Sequence, residues 1–147
     1  MSLIEKAIEE KICLDLFAKS YKTFPKGKII KTESPDFIVK INQKKTIGIE
    51  ITKLHHTDYK DLNRGYKMLE AMPHKIIDFL EQTISIKEDK LELYKKKMIN
   101  SFWLIITVDL LKFDNFMINS IQNWQNKSQF NKVFLFELFN KNIFELV

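Results

Sequence analysis

The run FWLIITVDL, residues 102–110, is apolar almost throughout. A strand with one face in water alternates apolar and polar residues, whereas a strand buried on both faces is apolar at nearly every position. This run therefore predicts a central strand with other elements packed on both of its faces. Segments with helical spacing occur on either side of it in the sequence, which favours an α/β domain with helices on a mixed sheet.

Composition supports one domain of this kind, spanning residues 1–147, because an apolar content of 45 % is enough for a packed core. The net charge of +5 is compatible with a polyanionic partner without requiring one. A single cysteine, Cys13, excludes an internal disulfide and a zinc site built from several cysteines. No stretch approaches the roughly 20 apolar residues of a membrane helix, so we expect a cytoplasmic protein that does not enter a membrane.

Spacing and turn residues predict the order of the elements. Ser2 and Glu5 form a capping-box pair, and isoleucine or leucine recurs every four residues, which predicts an amphipathic helix from Leu3 to Ser20. The later elements are a short strand (KIIK), a hairpin (34–56), a long helix from about Asp58 to Ile84 with a kink near Pro73, the buried strand, a helix from Asp114 to Trp124, and a C-terminal hairpin that turns at NKN. The charged segment KEDKLELYKKKMIN is either a helical extension or a solvated crossover, and its YKKK is predicted to be a solvated face.

The hairpin SPDFIVKINQKKTIGIEITKLHH carries an acid in each arm. If QKK forms the turn, antiparallel pairing sets Asp36 opposite Thr52 and Ile38 opposite Glu50. Because side chains alternate along a strand, these four residues share one face, while the other face carries apolar residues directed to the core. The residues expected on the core face are Val39, Ile41, Ile49 and Ile51. The two acids are then diagonal neighbours, about 5–8 Å apart.

Two carboxylates at that separation repel each other, and burial raises the cost. A divalent cation between Asp36 and Glu50 would relieve the repulsion, and hard cations such as Mg²⁺ prefer oxygen ligands. Other interpretations stay open: Asp36 is also suited to a turn or a cap, and Glu50 to a solvated face or to a pair with a lysine such as Lys40. The pattern favours a metal site without excluding these alternatives.

A glutamate-bearing first helix, then SPDFIV and then IGIEITKL, resembles the core of the PD-(D/E)xK nuclease superfamily. The resemblance implies a restriction-endonuclease-like α/β fold with αβββαβ order, followed here by the C-terminal hairpin. Asp36 matches the aspartate of the motif and Glu50 its second acid. Glu9 best matches the acid of the first helix, and Glu10 fits nearly as well. One departure is clear, because Thr52 stands where the motif has its lysine and Lys53 comes one residue later.

The resemblance implies Mg²⁺- or Mn²⁺-dependent hydrolysis of phosphodiester bonds in DNA. Asp36, Glu50 and the carbonyl of Ile51 would hold the metal, and Lys53 would orient the attacking water. Since Lys53 nominally points to the opposite face, a bulge or the twist at the end of the strand would have to bring its side chain round. Glu9 would complete the catalytic set.

Basic residues near the hairpin are candidate contacts to the DNA backbone, namely Lys60, Arg64 and Lys67. His55 and His56 are expected to lie in a polar loop. An uncovered face of FLFELF and NIFELV would favour a homodimer through the C-terminal hairpin. Two other functions remain open: a catalytically inactive module of the same fold that binds nucleic acid or a protein, and a partner-binding α/β domain whose hairpin acids meet lysines.

Overall fold

The computed structural model describes residues 2–54, 62–109 and 111–147, without the side chain of Leu62. Its helices are α1 (Leu3–Ser20), α2 (Leu62–Ala71), α3 (Ile76–Glu88), α4 (Leu91–Lys95) and α5 (Asn115–Asn123), with a 3₁₀ turn at Pro73–Lys75. Its strands are β1 (Lys28–Lys31), β2 (Phe37–Lys40), β3 (Thr46–Lys53), β4 (Ser101–Val108), β5 (Lys132–Glu137) and β6 (Asn142–Glu145). Among the described residues, no helix combines the length and apolar character needed to cross a bilayer.

The six strands form one mixed sheet in which their order follows the sequence. The β1–β2, β2–β3 and β5–β6 pairs are antiparallel, whereas β3–β4 and β4–β5 are parallel. A parallel pair needs a crossover connection, and the crossover from β3 to β4 carries α2, α3 and α4, while that from β4 to β5 carries α5. The predicted α/β class, with helices against a mixed sheet, is confirmed.

Strand β4 is buried on both faces, as its apolar run predicts. Leu104 and Ile106 belong to a core that also contains Phe79 of α3, which we call the first core. Trp103 and Ile105 belong to a second core on the opposite face, which also contains Phe17 of α1. The sheet therefore separates α1 on one side from α2 to α5 on the other.

Helix α1 has the predicted bounds and the predicted capping box, but the orientation expected of an amphipathic helix is wrong. Ile4, Ile8 and Ile12 are 74 %, 55 % and 55 % exposed. The side chains directed to the sheet are instead Glu10, Cys13, Leu14 and Phe17. Phe17 explains the choice, since its ring lies 5.0 Å and 5.6 Å, between centroids, from two phenylalanine rings of β5. Aromatic rings bury more area than isoleucines, so the Phe17 face packs inward.

The predicted pairing register of the first hairpin is wrong by two residues. Lys40 pairs with Thr46, so the turn spans residues 41–45 and is wider than QKK. Asn42 stabilises this turn, because its side-chain oxygen accepts hydrogen bonds from two backbone N–H groups within it. A shift of two residues keeps every side chain on its original face. Phe37 pairs with Ile49, so the same register carried back one residue places Asp36 beside Glu50.

The long helix predicted up to Ile84 is interrupted at Pro73, where the 3₁₀ turn begins, and α3 continues beyond its predicted end. Its predicted start at Asp58 lies outside the described residues. In the charged segment, Leu91 and Tyr94 are buried, so the solvated face predicted for YKKK is wrong at Tyr94. The segment is a short helix, α4, packed on the first core. The helix predicted at Asp114 to Trp124 is confirmed as α5, with Asp114 as its N-cap.

The C-terminal hairpin is formed by β5 and β6 around a turn in which Lys141, between two asparagines, has a positive φ of 59°. Strand β5 is buried on both faces, and Ile143 and Phe144 of β6 pack against the second and first cores respectively. The two cores therefore cover the apolar side chains that would form an uncovered face. The homodimer through this hairpin stays a prediction, and Phe139 at the turn is its exposed apolar residue.

Candidate active site

A cavity of about 530 Å³ opens where β2 begins and β3 ends. Helix α1 lines one side, and residues of α3, α4 and the segment joining them line the other. Asp36, Glu50, Ile51, Lys53 and Glu9 all contribute to its wall. The structure thus brings together the five residues to which the sequence gives catalytic or metal-binding roles, and those roles stay predictions.

Asp36, which directly precedes β2, is held by packing and by hydrogen bonds at both its carbonyl and its carboxyl group, and its carbonyl oxygen accepts from the N–H of Thr32 at 2.9 Å. The N–H of Ile51 donates to Asp36 Oδ2 at 2.8 Å. Gly48 permits the close approach of Pro35, the residue before Asp36, because a Cβ at position 48 would lie 3.0 Å from Pro35 Cγ. Small size at residue 48 therefore lets the segment carrying Asp36 pack directly on β3.

Asp36 and Glu50 are both buried, each with 7 % of its surface exposed. Burial, and then the charge of Glu50, raises the pKa of Asp36 to about 8. The N–H of Ile51 acts in the opposite direction, and a hydrogen bond shared with the Glu10 carboxyl adds to the increase. Asp36 is therefore a carboxyl group that retains its proton near neutral pH unless positive charge enters the cavity.

Glu50 contacts one residue from each of the helices α3 and α4, which pack on the first core. The Tyr94 hydroxyl donates to Glu50 Oε2 at 2.5 Å, and Lys87 Nζ lies 3.7 Å from Oε1. Burial lowers the pKa of Lys87, while the charge of Glu50 opposes that change. Burial and the bond to Glu50 raise the pKa of Tyr94. The lysine at Glu50 is thus Lys87 and not Lys40.

Helix α1 brings two carboxylates to the cavity with different partners. Glu10 is buried and lies 3.2 Å from Lys31 Nζ, and it shares the hydrogen bond with Asp36. Glu9 Oε1 lies 2.8 Å from Lys53 Nζ. Glu10 precedes the inward-facing Leu14 by one helical turn, which directs it to the sheet. Of the two first-helix acids that match the motif, Glu10 is therefore the one that bonds Asp36, whereas Glu9 pairs with Lys53.

The side chain of Lys53 stays on the α1 face, so neither a bulge in the β3–β4 ladder nor the twist at the end of β3 brings it to the face of Glu50. That ladder pairs residues 47–53 with 101–107 without interruption. Ile47 and Ile49 point into the second core, so alternation directs Lys53 to the same side, where it meets Glu9. Thr52 lies on the Glu50 face and lines the cavity.

Lys87 and Tyr94 were not among the residues predicted for the site, although the sequence contains a signal for them. Leu80, Ile84, Lys87, Leu91 and Tyr94 follow one another at intervals of four, three, four and three residues. That spacing is the apolar stripe of a helix, and a lysine within it is directed toward the core. The charged neighbours of these residues concealed the stripe.

Of the predicted phosphate contacts, Arg64 and Lys67 are exposed on α2. Asn63 and Tyr66 of the same helix line a smaller cavity of about 190 Å³, whose wall also includes Lys53. Helix α2 therefore flanks the larger cavity. Lys60, like His55 and His56, lies outside the described residues.

The donors in the cavity fit a magnesium ion better than a metal enclosed by protein ligands. Within residues 2–54, 62–109 and 111–147, no group of three or more His, Cys, Asp or Glu side chains is arranged as a metal site. Mg²⁺, however, usually takes one or two carboxylates and completes its coordination with water and substrate phosphates. Asp36 and Glu50, two buried carboxyl groups facing an open cavity, match that requirement.

Comparisons with known proteins add no family to these observations. No family model matches the chain, and comparison with curated proteins and with solved structures gave no match. The function therefore has to be inferred from the chemistry of the cavity.

Proposed function

We propose that this protein is a small nuclease of the PD-(D/E)xK type that hydrolyses phosphodiester bonds of DNA with Mg²⁺ or Mn²⁺. The observation that carries the proposal is that Asp36 and Glu50 are both buried in the wall of one open cavity, close enough for the charge of Glu50 to raise the pKa of Asp36. The order α1, three strands, helices and β4 supports a restriction-endonuclease-like core.

The energetics of the acid pair support a cation at this position. Burying two neighbouring carboxylates is unfavourable, and the raised pKa of Asp36 expresses that cost. Several alternatives to a cation exist for a single acid, such as a cap or a surface ion pair. These alternatives do not readily explain two buried acids in the wall of the same cavity. Asp36 and Glu50 would hold the ion, with the Ile51 carbonyl as a further oxygen ligand.

A bound Mg²⁺ supplies a coordinated water of lowered pKa and offsets negative charge on the phosphate. The chain's own residues bind and orient the substrate. Lys6, Lys53 and Lys90 line the cavity and would attract the phosphate backbone. Tyr94 donates to one oxygen of Glu50 and would fix the orientation of this carboxylate.

Nicking of supercoiled plasmid DNA tests the proposal. Wild type should cleave with Mg²⁺ or Mn²⁺ and stop when a chelator is added, and Glu50→Ala should reduce the rate by about 100-fold or more, the scale of losing one preorganised electrostatic group. Glu50→Gln separates charge from shape and should also be inactive. Glu92→Gln, an exposed acid on α4, is the matched control and should cleave like wild type. Metal-dependent cleavage that survives in both Glu50 variants would exclude the proposed mechanism.

A second candidate is an inactive module of the same fold that binds nucleic acid. Thr52 at the place of the motif lysine favours it, since a core acid pair could persist after the catalytic lysine is lost. Salt-dependent DNA binding, with no cleavage under any of the metal conditions above, would select this candidate.

A further inference from the structure

Three lysines near the acid pair differ in the face of the sheet from which they reach it. Glu50 points to the side of α3 and α4, where Lys87 and Tyr94 contact it. Lys53 points to the α1 side and contacts Glu9. Lys31, on β1, bonds Glu10 and the backbone carbonyl of Asp36. Only Lys87 among these three faces the Glu50 carboxylate directly.

The side chain of Lys87 is also held more firmly than that of Lys53. Its side chain is 16 % exposed, against 49 % for Lys53. It lies in the apolar stripe between Ile84 and Leu91, both of which are buried in the first core. A side chain confined in this way loses little further freedom when it contacts a substrate, and preorganised charges are those that stabilise transition states.

The distance between Lys87 and Glu50 leaves the ammonium group available. Its 3.7 Å exceeds the roughly 2.7–2.9 Å of a tight charged hydrogen bond. The Lys53–Glu9 pair, at 2.8 Å, is within that range. A lysine ammonium has three N–H donors, so Lys87 can direct donors to an anion in the cavity while remaining near Glu50.

We propose that Lys87, supplied by α3, is the lysine that contacts the scissile phosphate in this cavity, in place of Lys53. The inference rests on the proposed nuclease function. It explains how Thr52 can stand where the motif has lysine, because the positive charge on the Glu50 face comes from a helix and not from β3.

This arrangement has two consequences of opposite sign. Lys87 attracts a substrate phosphate, so removing its charge should slow cleavage. Lys87 also competes with a metal ion for the Glu50 carboxylate, so removing its charge should leave metal binding unchanged or strengthen it. A residue that only supports the fold would weaken both properties together.

The test uses methionine variants, since methionine keeps the apolar stem of lysine and removes its charge. Lys87→Met is compared with Lys53→Met and with the matched control Lys95→Met, which changes an exposed lysine of α4. Single-turnover cleavage of a labelled DNA duplex is measured at saturating Mg²⁺, and Mn²⁺ binding is measured by calorimetry without DNA. Thermal melting checks that each variant folds, and Lys87→Arg, which restores the charge, serves as a second variant.

We expect Lys87→Met to reduce the cleavage rate about 100-fold while its Mn²⁺ dissociation constant stays equal or falls. Lys87→Arg should recover part of the rate, Lys53→Met should lose less than about tenfold, and Lys95→Met should match wild type. A fully active Lys87→Met, a larger loss in Lys53→Met, or weaker Mn²⁺ binding in a folded Lys87→Met would overturn the inference. A wild type that cleaves no plasmid, duplex or single-stranded DNA would instead remove the nuclease proposal, and this inference with it.

Discussion

At the scale of single residues, Asp36 is the group whose chemistry depends most on its surroundings. An aspartate in an unfolded chain has a pKa of 3.8, whereas burial and the neighbouring Glu50 raise that of Asp36 to about 8. Between these values the folded protein binds a proton that the unfolded chain releases. The contribution of Asp36 to the free energy of unfolding therefore falls as pH rises from about 4 to about 8, and it is constant outside that window.

The Asp36→Asn variant tests this linkage, because asparagine has nearly the same shape and does not titrate. In metal-free buffer, the unfolding free energy of wild type should fall more between pH 5 and pH 8 than that of Asp36→Asn. Urea denaturation at the two pH values gives both differences. Asp78→Asn, at an exposed acid of α3, is the control and should keep the wild-type slope. Equal slopes for wild type and Asp36→Asn would mean that the pKa of Asp36 in the folded protein is close to that of an aspartate in an unfolded chain.

At the scale of elements, the first hairpin shows what periodicity alone can predict. Periodicity predicts that Asp36 and Glu50 lie on one face, and that prediction does not depend on the register, which was wrong by two residues. The face of the sheet on which a side chain lies alternates with each residue along the strand, so a shift of the register by two residues leaves every side chain on its original face. The register itself depends on the turn, where Asn42 organises a five-residue loop that the apolar pattern does not record.

Helix α1 shows the opposite case, in which periodicity was present but ambiguous. Its sequence carries two apolar stripes, one of aliphatic residues that includes Ile8 and one through Cys13, Leu14 and Phe17. Local spacing cannot choose between them, because the choice depends on the aromatic rings that β5 presents more than a hundred residues later in the chain. This orientation of α1 also decides which acid reaches Asp36, because Glu10 lies on the buried face with Leu14 and Phe17.

Two alanine variants distinguish the faces of α1. Leu14 is fully buried, so Leu14→Ala should lower the free energy of unfolding by about 2–5 kcal/mol, the usual cost of a core cavity. Ile8 is more than half exposed, so Ile8→Ala should change it by no more than about 0.5 kcal/mol. Chemical denaturation of both variants measures the difference. Similar losses at the two positions would indicate that the isoleucine stripe is covered.

At the scale of the whole molecule, the cavity exists because the sheet brings distant parts of the chain to the end of β3. The parallel pairing of β3 with β4 requires a crossover, and that crossover places α3 and α4 over Glu50. Helix α1 covers the other face and adds Glu10. The motif led to Asp36 and Glu50, and both line one cavity, although their metal-binding role stays a prediction. The spacing of Lys87 and Tyr94 indicates that they face the core, but it does not indicate that they meet the acids, because only the crossover brings them there.

The charge of the whole molecule gives the last prediction. With a net charge of +5, DNA binding should weaken as salt rises, because each phosphate contact releases a counterion. Arg64→Ala and Lys67→Ala, on α2 beside the cavity, should each reduce the slope of log affinity against log salt by about 1. Fluorescence anisotropy with the Glu50→Gln protein, which should not cleave the probe, measures these slopes. Lys44→Ala, in the turn at the opposite end of the hairpin, should keep the parent slope. If Arg64→Ala and Lys67→Ala keep the same slope as Lys44→Ala, α2 does not contact the DNA backbone.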